Sequence, residues 1–259
     1  MSLSLKIIPT QLLEEFKAAV DDSVENSFEK LHESSLSVGD FSFYTSVSAV
    51  FSSKIEGEDI ELDSYLKHKT LGVQYQPDYT QKIDDLYNAY EFAKVNAISA
   101  DRLMQAHTLL TKNILQPSQQ GKFRTGNMFV MTNDGRIEYV ATEPDKVSAE
   151  MEKFYTDLNS LLDAELDFKE VFFFASLLHL VFVKIHPLND GNGRTARLLE
   201  KWFLAEKLGY KAWFIESESN YYDNHQTYYN NIRRLGLEYD DLEYTKALPF
   251  LLMLQSSVK

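Results

Sequence analysis

The stretch VFFFASLLHLVFVKI, from Val171 to Ile185, constrains this chain more than any other. A helix that is apolar all round must be buried all round. The run is shorter than the roughly 20 residues needed to cross a bilayer, and it contains His179 and Lys184. It therefore predicts a central helix of a soluble protein, with no membrane partner. The wrapping must come from the rest of the chain, and 17 phenylalanines and 15 tyrosines are available for it. At 259 residues, the chain is long enough to bury roughly 70–75% of its unfolded surface.

Helical spacing dominates elsewhere. Phe16, Val20, Val24, Phe28 and Leu31 form one stripe at three- and four-residue steps, which predicts a single helix from Leu12. Val47, Val50, Phe51 and Ile55 predict a second helix, with Gly57 placed to stop it. Ile83 to Tyr90 mark a third, and Ser99 caps a fourth through Leu103 and Leu110. The one β signal is a pair of short strands flanking Asp134-Gly135, a favoured hairpin turn. Helices resume near Val147, after the central run up to Gly209, around Tyr228, and from Leu242 to Leu254. The fold class is mainly α with one hairpin. Residues 1–80 are expected to form an N-terminal helical extension, and 81–259 the main domain.

The net charge of −13, from 39 acidic and 26 basic residues, argues against general nucleic-acid binding. With no cysteine there is no disulfide or thiolate chemistry. The opening MSLSLKIIPT lacks the charged start and apolar run of a signal sequence, so a cytoplasmic location is expected.

Directly behind the central run lies HPLNDGNGRTAR, His186 to Arg197. Gly191, Asn192 and Gly193 stand where the next helix begins, so unpaired backbone N–H groups and the positive end of the helix dipole face outward there. Arg194 and Arg197 sit three apart in the first turns, where cations oppose the dipole. They make sense if a multiply charged anion is bound. Asp190 supplies a hard oxygen ligand suited to Mg²⁺, and His186 can accept a proton near neutral pH. Base, metal ligand, anion cradle and cationic clamps together describe phosphoryl-type transfer. A plain turn does not account for DGNGR, which chance would place in roughly one such chain in ten thousand at average residue usage.

This stretch resembles the signature of the Fic family, H-x-F-x-[D/E]-G-N-G-R-x-x-R, with Leu188 in place of the phenylalanine. His107, the segment GKFR (Gly121 to Arg124), the hairpin and His179 extend the likeness over roughly residues 80 to 235. The resemblance implies a Fic-type helical core with the hairpin as its flap. It implies Mg²⁺-dependent transfer of AMP from ATP to a Ser, Thr or Tyr hydroxyl of a protein target that the sequence does not identify. His186 would be the base and Asp190 the Mg²⁺ ligand. Gly191, Asn192 and Gly193 would cradle phosphate oxygens, with Arg194 on the β- and Arg197 on the γ-phosphate. Val130, Met131 and Thr132 would line the site and register the target, and Tyr228 of TYYNNI would lie against the adenine. The family's paired prolines after the flap are replaced here by Ala141 and Thr142, and Gly236 stands where a nucleotide-contacting asparagine often follows the tyrosines.

SSKIEG, from Ser52 to Gly57, resembles the family's inhibitory pattern [S/T]-x-x-x-E-[G/N]. The likeness implies that an inhibitory helix over about residues 40–57 brings Glu56 to Arg197, where the γ-phosphate would go, with Ser52 fixing the Glu56 side chain. Two other readings stay open: a hydrolase of the same fold that removes AMP, and a nucleotide-binding scaffold without chemistry. A kinase-like variant fits less well, since such relatives carry lysine where Gly193 stands. A homodimer is compatible with the sequence.

Overall fold

The computed structural model describes residues 4–37, 41–131 and 135–258. Among them the chain runs through α1 (Leu13–Ala19), α2 (Ser23–Glu29), α3 (Phe43–Ile55), α4 (Leu62–Leu71), α5 (Pro77–Lys94) and α6 (Ala100–Leu110). A hairpin of β1 (Phe129–Met131) and β2 (Ile137–Val140) follows. Then come α7 (Val147–Asp163), α8 (Phe168–Ile185), α9 (Asn192–Leu208), α10 (Ser217–Asp223), α11 (His225–Arg233) and α12 (Leu248–Gln255).

The apolar run forms α8, opened by a capping box in which Asp167 and Glu170 satisfy each other's backbone N–H. From Val171 to Phe182 every residue of α8 is buried, so its all-round apolarity is met by packing on all sides. Its closest neighbour is α9, likewise buried over most of its length. The two are joined by the motif loop, and α6, α7, α12 and α1 pack around the pair. No helix among the described residues is long and apolar enough to cross a membrane.

The stripe from Phe16 to Leu31 is not one helix. The backbone becomes extended at Val20, and Asp21 takes the N–H of Ser23, starting α2 afresh. An aspartate that bonds its own backbone two residues on makes a turn that outweighs apolar spacing. Similarly, only the last part of the stretch from Leu242 is α-helical, because Pro249 sits in the first turn of α12 and a tighter turn at Tyr244–Lys246 precedes it. Helices α4 and α10 have no counterpart in the sequence reading. The expected boundary at residue 80 falls inside α5, and one continuous core runs from Ile8 to Leu254. Buried Asp157 on α7 accepts the backbone N–H groups of Lys6, Ile7 and Ile8, tying the N-terminal segment to that core.

The hairpin forms as expected, antiparallel with Val130 opposite Tyr139 and an irregularity after Val130. Asp134 of its turn lies outside the described residues, while Gly135 has the positive φ of 83° that such a turn requires.

Candidate active site

Helix α8 ends at His186, which adopts a left-handed conformation (φ 51°), and Pro187 cannot extend the helix. The turn folds the imidazole back on α8, with Nδ1 3.1 Å from the Val183 carbonyl. A carbonyl only accepts, so Nδ1 carries the proton and Nε2 keeps its lone pair. Burial pushes the His186 pKa down to about 4, so the ring is neutral at pH 7. His186 thus enters the site ready to accept a proton.

The loop that follows is held from outside. His107 on α6 accepts from the Gly121 N–H at Nδ1 (2.9 Å), and its Nε2 donates to the Asp190 carbonyl (3.0 Å). Arg124 is nearly fully buried and donates to four carbonyls: His186 (2.7 Å), Gly126 (2.9 Å), Thr142 (2.5 Å) and Ile185 (3.5 Å). It joins the base to both ends of the hairpin. The Asn192 side chain takes the Leu188 N–H and donates to the Leu188 carbonyl, so it clasps the loop and only its backbone can face an anion. Asp190, by contrast, is exposed, with Oδ1 accepting from the Gly191 N–H. Among the described residues no three His, Cys, Asp or Glu side chains cluster to hold a metal. A single carboxylate beside an anion loop still fits Mg²⁺, which takes its remaining ligands from phosphate and water.

Gly193, with no side chain, allows close approach to the start of α9. A Cβ there would stand 2.7 Å from Glu56 Oε1 and 3.1 Å from Arg197 Nη1. A carboxylate oxygen therefore already lies against the first turn of α9, where a phosphate oxygen would sit. It belongs to Glu56, the C-cap of α3, which accepts from Arg197 Nη2 at 2.7 Å. Burial raises the Glu56 carboxyl, but Arg197 and Arg194 outweigh that and hold it below its usual value. Gly57 follows with φ 92°, ending the helix as expected. Ser52 acts on the other partner: its Oγ and carbonyl accept from Arg197 Nε (2.9 Å) and Nη2 (3.1 Å), so it fixes the arginine and does not touch the Glu56 side chain.

Arg194 is also engaged. Glu58 accepts from its Nη2 at 2.6 Å, and both side chains are nearly buried. Arg194 Nε and Glu58 Oε2 have no hydrogen-bond partner, so this pair is satisfied on one edge only. The sequence reading missed Glu58, whose signal was its position two residues after Glu56 in a segment already aimed at the loop.

His186, Gly193, Arg197 and Glu56 border one cavity under the hairpin, together with Val130, Tyr139, Lys184 and Tyr229. Its free volume is about 150 Å³, short of the roughly 300–1,000 Å³ of pockets that hold drug-sized ligands. A larger cleft of about 400 Å³ beside Trp202 and Trp213 lies away from the motif loop and has no comparable charge cluster. Val130 lines the cavity as expected. Met131 is 55% exposed and does not border it, because the side chains of a strand alternate; Thr132 lies outside the described residues. Tyr228 forms part of the wall, but it is buried, and its hydroxyl bridges His179 Nε2 (2.9 Å) and Arg197 Nη1 (3.3 Å). Its neighbour Tyr229 is half-buried and is the more open of the two rings. Lys184, almost wholly buried, has its ammonium 4.0 Å from the Tyr139 ring centre, and burial pushes its pKa down to about 8.

A buried helix pair joined by a glycine-rich anion loop, with a hairpin laid over it, defines a site of the Fic type. Residues 97–204 match the model of the Fic/DOC family, and this segment of the chain is a Fic domain. It is 30% identical over 112 residues to a protein adenylyltransferase Fic of Nematostella vectensis, covering 43% of this chain and 24% of that one. It is also 30% identical over 143 residues to one of Aedes aegypti, covering 52% and 26%. The chain thus spans about a quarter of the length of these relatives. A Fic family protein of Desulfovibrio desulfuricans G20 shares the fold with a TM-score of 0.70 at 20% identity, over 95% of this chain and 70% of that one. A Fic domain containing signaling protein of Bacteroides thetaiotaomicron does so at 0.65 and 18%, over 96% and 91%.

Proposed function

We propose that the chain transfers AMP from ATP to a Ser, Thr or Tyr hydroxyl of a target protein, and that Glu56 keeps the resting protein inactive. The observation carrying this reading is a single cavity that holds a neutral His186, an anion cradle at Gly193 and an arginine clamp occupied by the chain's own carboxylate. The names of the relatives support the same chemistry.

In this reading His186 Nε2 takes the hydroxyl proton of the target as its oxygen attacks the α-phosphorus. A new P–O bond forms, the bond to the β-phosphate oxygen breaks, and pyrophosphate leaves. Backbone N–H groups at the start of α9 stabilise phosphate oxygens, and Arg194 and Arg197 hold the β- and γ-phosphates. Asp190 would hold Mg²⁺, which when bound neutralises phosphate charge. Val130 and the hairpin edge register the target segment by strand addition. While Glu56 occupies Arg197, the γ-phosphate has no seat, and the small free volume is in keeping with that.

The test is intact-mass analysis of the Glu56→Gly protein and a cell lysate after incubation with ATP and Mg²⁺. An AMP adduct on the protein or a lysate component, lost in the Glu56→Gly/His186→Ala double variant, is the expected result. Nucleotide binding without any adduct would replace this reading with the scaffold. Removal of AMP from a modified protein, without transfer, would replace it with the hydrolase.

A further inference from the structure

The anion loop fixes which end of the cavity takes phosphate. The base of any nucleotide bound there must lie against the rest of the lining, which includes Tyr229, Ile232, Val130 and one ion pair. That pair joins Glu138 on β2 to Arg233 at the end of α11, with Arg233 Nη2 donating to Glu138 Oε2 at 2.8 Å. The Glu138 side chain is 18% exposed and Arg233 36%. The guanidinium carbon lies 5.5 Å from the Tyr229 ring centre, and Arg233 Nε is buried without a hydrogen-bond partner. The pair bridges the hairpin and α11, both of which line the cavity.

Resting on the nucleotide reading above, we propose that Glu138, held in place by Arg233, selects the base by accepting a hydrogen bond from an exocyclic amino group. The preferred substrate is then a 6-aminopurine nucleotide. An ionised carboxylate can accept but not donate. It pairs with the 6-amino group of adenine, whereas hypoxanthine has no exocyclic amino group and presents a 6-oxo group that a carboxylate repels, a mismatch that leaves polar atoms desolvated and unpaired. Arg233 sets the carboxylate's orientation, so Arg233 is a positioning residue. Tyr229 offers its ring face, which any base can stack on, and so contributes affinity without choice.

ATP and ITP differ at this edge, and binding of each is measured by titration calorimetry on the Glu56→Gly protein with Mg²⁺. The expected result is at least a tenfold preference for ATP. Glu138→Gln, whose amide can turn to donate to a 6-oxo group, brings the two affinities within about threefold while ITP still binds. Arg233→Met narrows the preference through loss of orientation, and Arg233→Lys restores part of it. An ATP preference unchanged in Glu138→Gln, or none in the starting protein, overturns the assignment while leaving the nucleotide site intact. Failure of both nucleotides to bind the folded Glu56→Gly protein overturns the reading of the cavity itself, and this inference with it.

Discussion

Replacing Glu56 with glycine should strengthen ATP binding and weaken the unliganded fold at once. The Arg197–Glu56 contact is a 2.7 Å charge-assisted hydrogen bond, with Arg197 1% and Glu56 27% exposed. A hydrogen bond to a charged group contributes roughly 1.5–3 kcal/mol, and the partial exposure of Glu56 favours the middle of that range. A triphosphate must displace this contact, so its removal should improve ATP affinity by about 2 kcal/mol, or about 30-fold. Self-labelling at limiting ATP should rise at least as much. Without ATP, Arg197 is left buried with only Ser52 and Tyr228. Breaking a buried pair by removing one partner costs roughly 3–5 kcal/mol, which predicts a melting temperature several degrees lower. Millimolar ATP with Mg²⁺ should restore it, since a ligand that binds only the folded state stabilises it. The assay is calorimetric titration paired with thermal denaturation, with and without ATP. A Glu56→Gly protein that keeps both the starting ATP affinity and the starting melting temperature would refute the reasoning.

Glu58 acts in the same sense on Arg194, so Glu58→Ala added to Glu56→Gly should tighten ATP binding by about a further tenfold, given the 2.6 Å contact between nearly buried groups; titration of the double variant reads it directly. His186→Ala should cut transfer by at least about 100-fold, the smaller end of general-base contributions, while ATP affinity shifts less than threefold. Since the His186 pKa lies at about 4, the base form is already populated above it. The rate profile of Glu56→Gly should therefore be flat from pH 6 to 8 and fall only as acid approaches that value, as initial rates across buffers would show. Lys184 has its pKa depressed by burial from 10.5 to about 8. The unfolded chain therefore binds the extra proton between those values, and stability lost below pH 8 is regained as pH rises toward 10.5. Lys184→Met should accordingly stabilise the protein at pH 7 by up to about 3 kcal/mol, with a gain that shrinks through that window. Urea denaturation of both proteins from pH 7 to 10 gives the comparison, and a gain independent of pH would exclude a buried charge.

The turns and helix boundaries around the motif were legible because they are local. His186 through Arg197 are consecutive, so two left-handed residues and one helix start bring His186, Asp190 and the Gly193 backbone together wherever that segment packs. Helix α8 was legible because apolarity on every face allows only one environment. The pairing of Glu56 with Arg197, 141 residues apart, was expected only from the resemblance, since no local rule reaches that far. The N-terminal stripe misled because apolar spacing continues through Asp21 and Asp22 although the backbone does not.

Other residues acquire their place only when distant elements pack. Arg124 and His107 hold the loop from elsewhere in the chain, Glu58 meets Arg194 across 136 residues, and Arg233 meets Glu138 across 95. Tyr228 and Tyr229 are adjacent, yet one is turned into the core toward His179 and the other toward the cavity. Periodicity tells which face of a helix is buried but not which partner it is buried against. Composition and spacing thus specified a buried central helix and the glycine-rich loop and helix start behind it. Only packing of α3, α11 and the hairpin around that loop decided which charges neutralise its arginines and that Arg233 meets Glu138, because those contacts depend on distances that no local sequence rule contains.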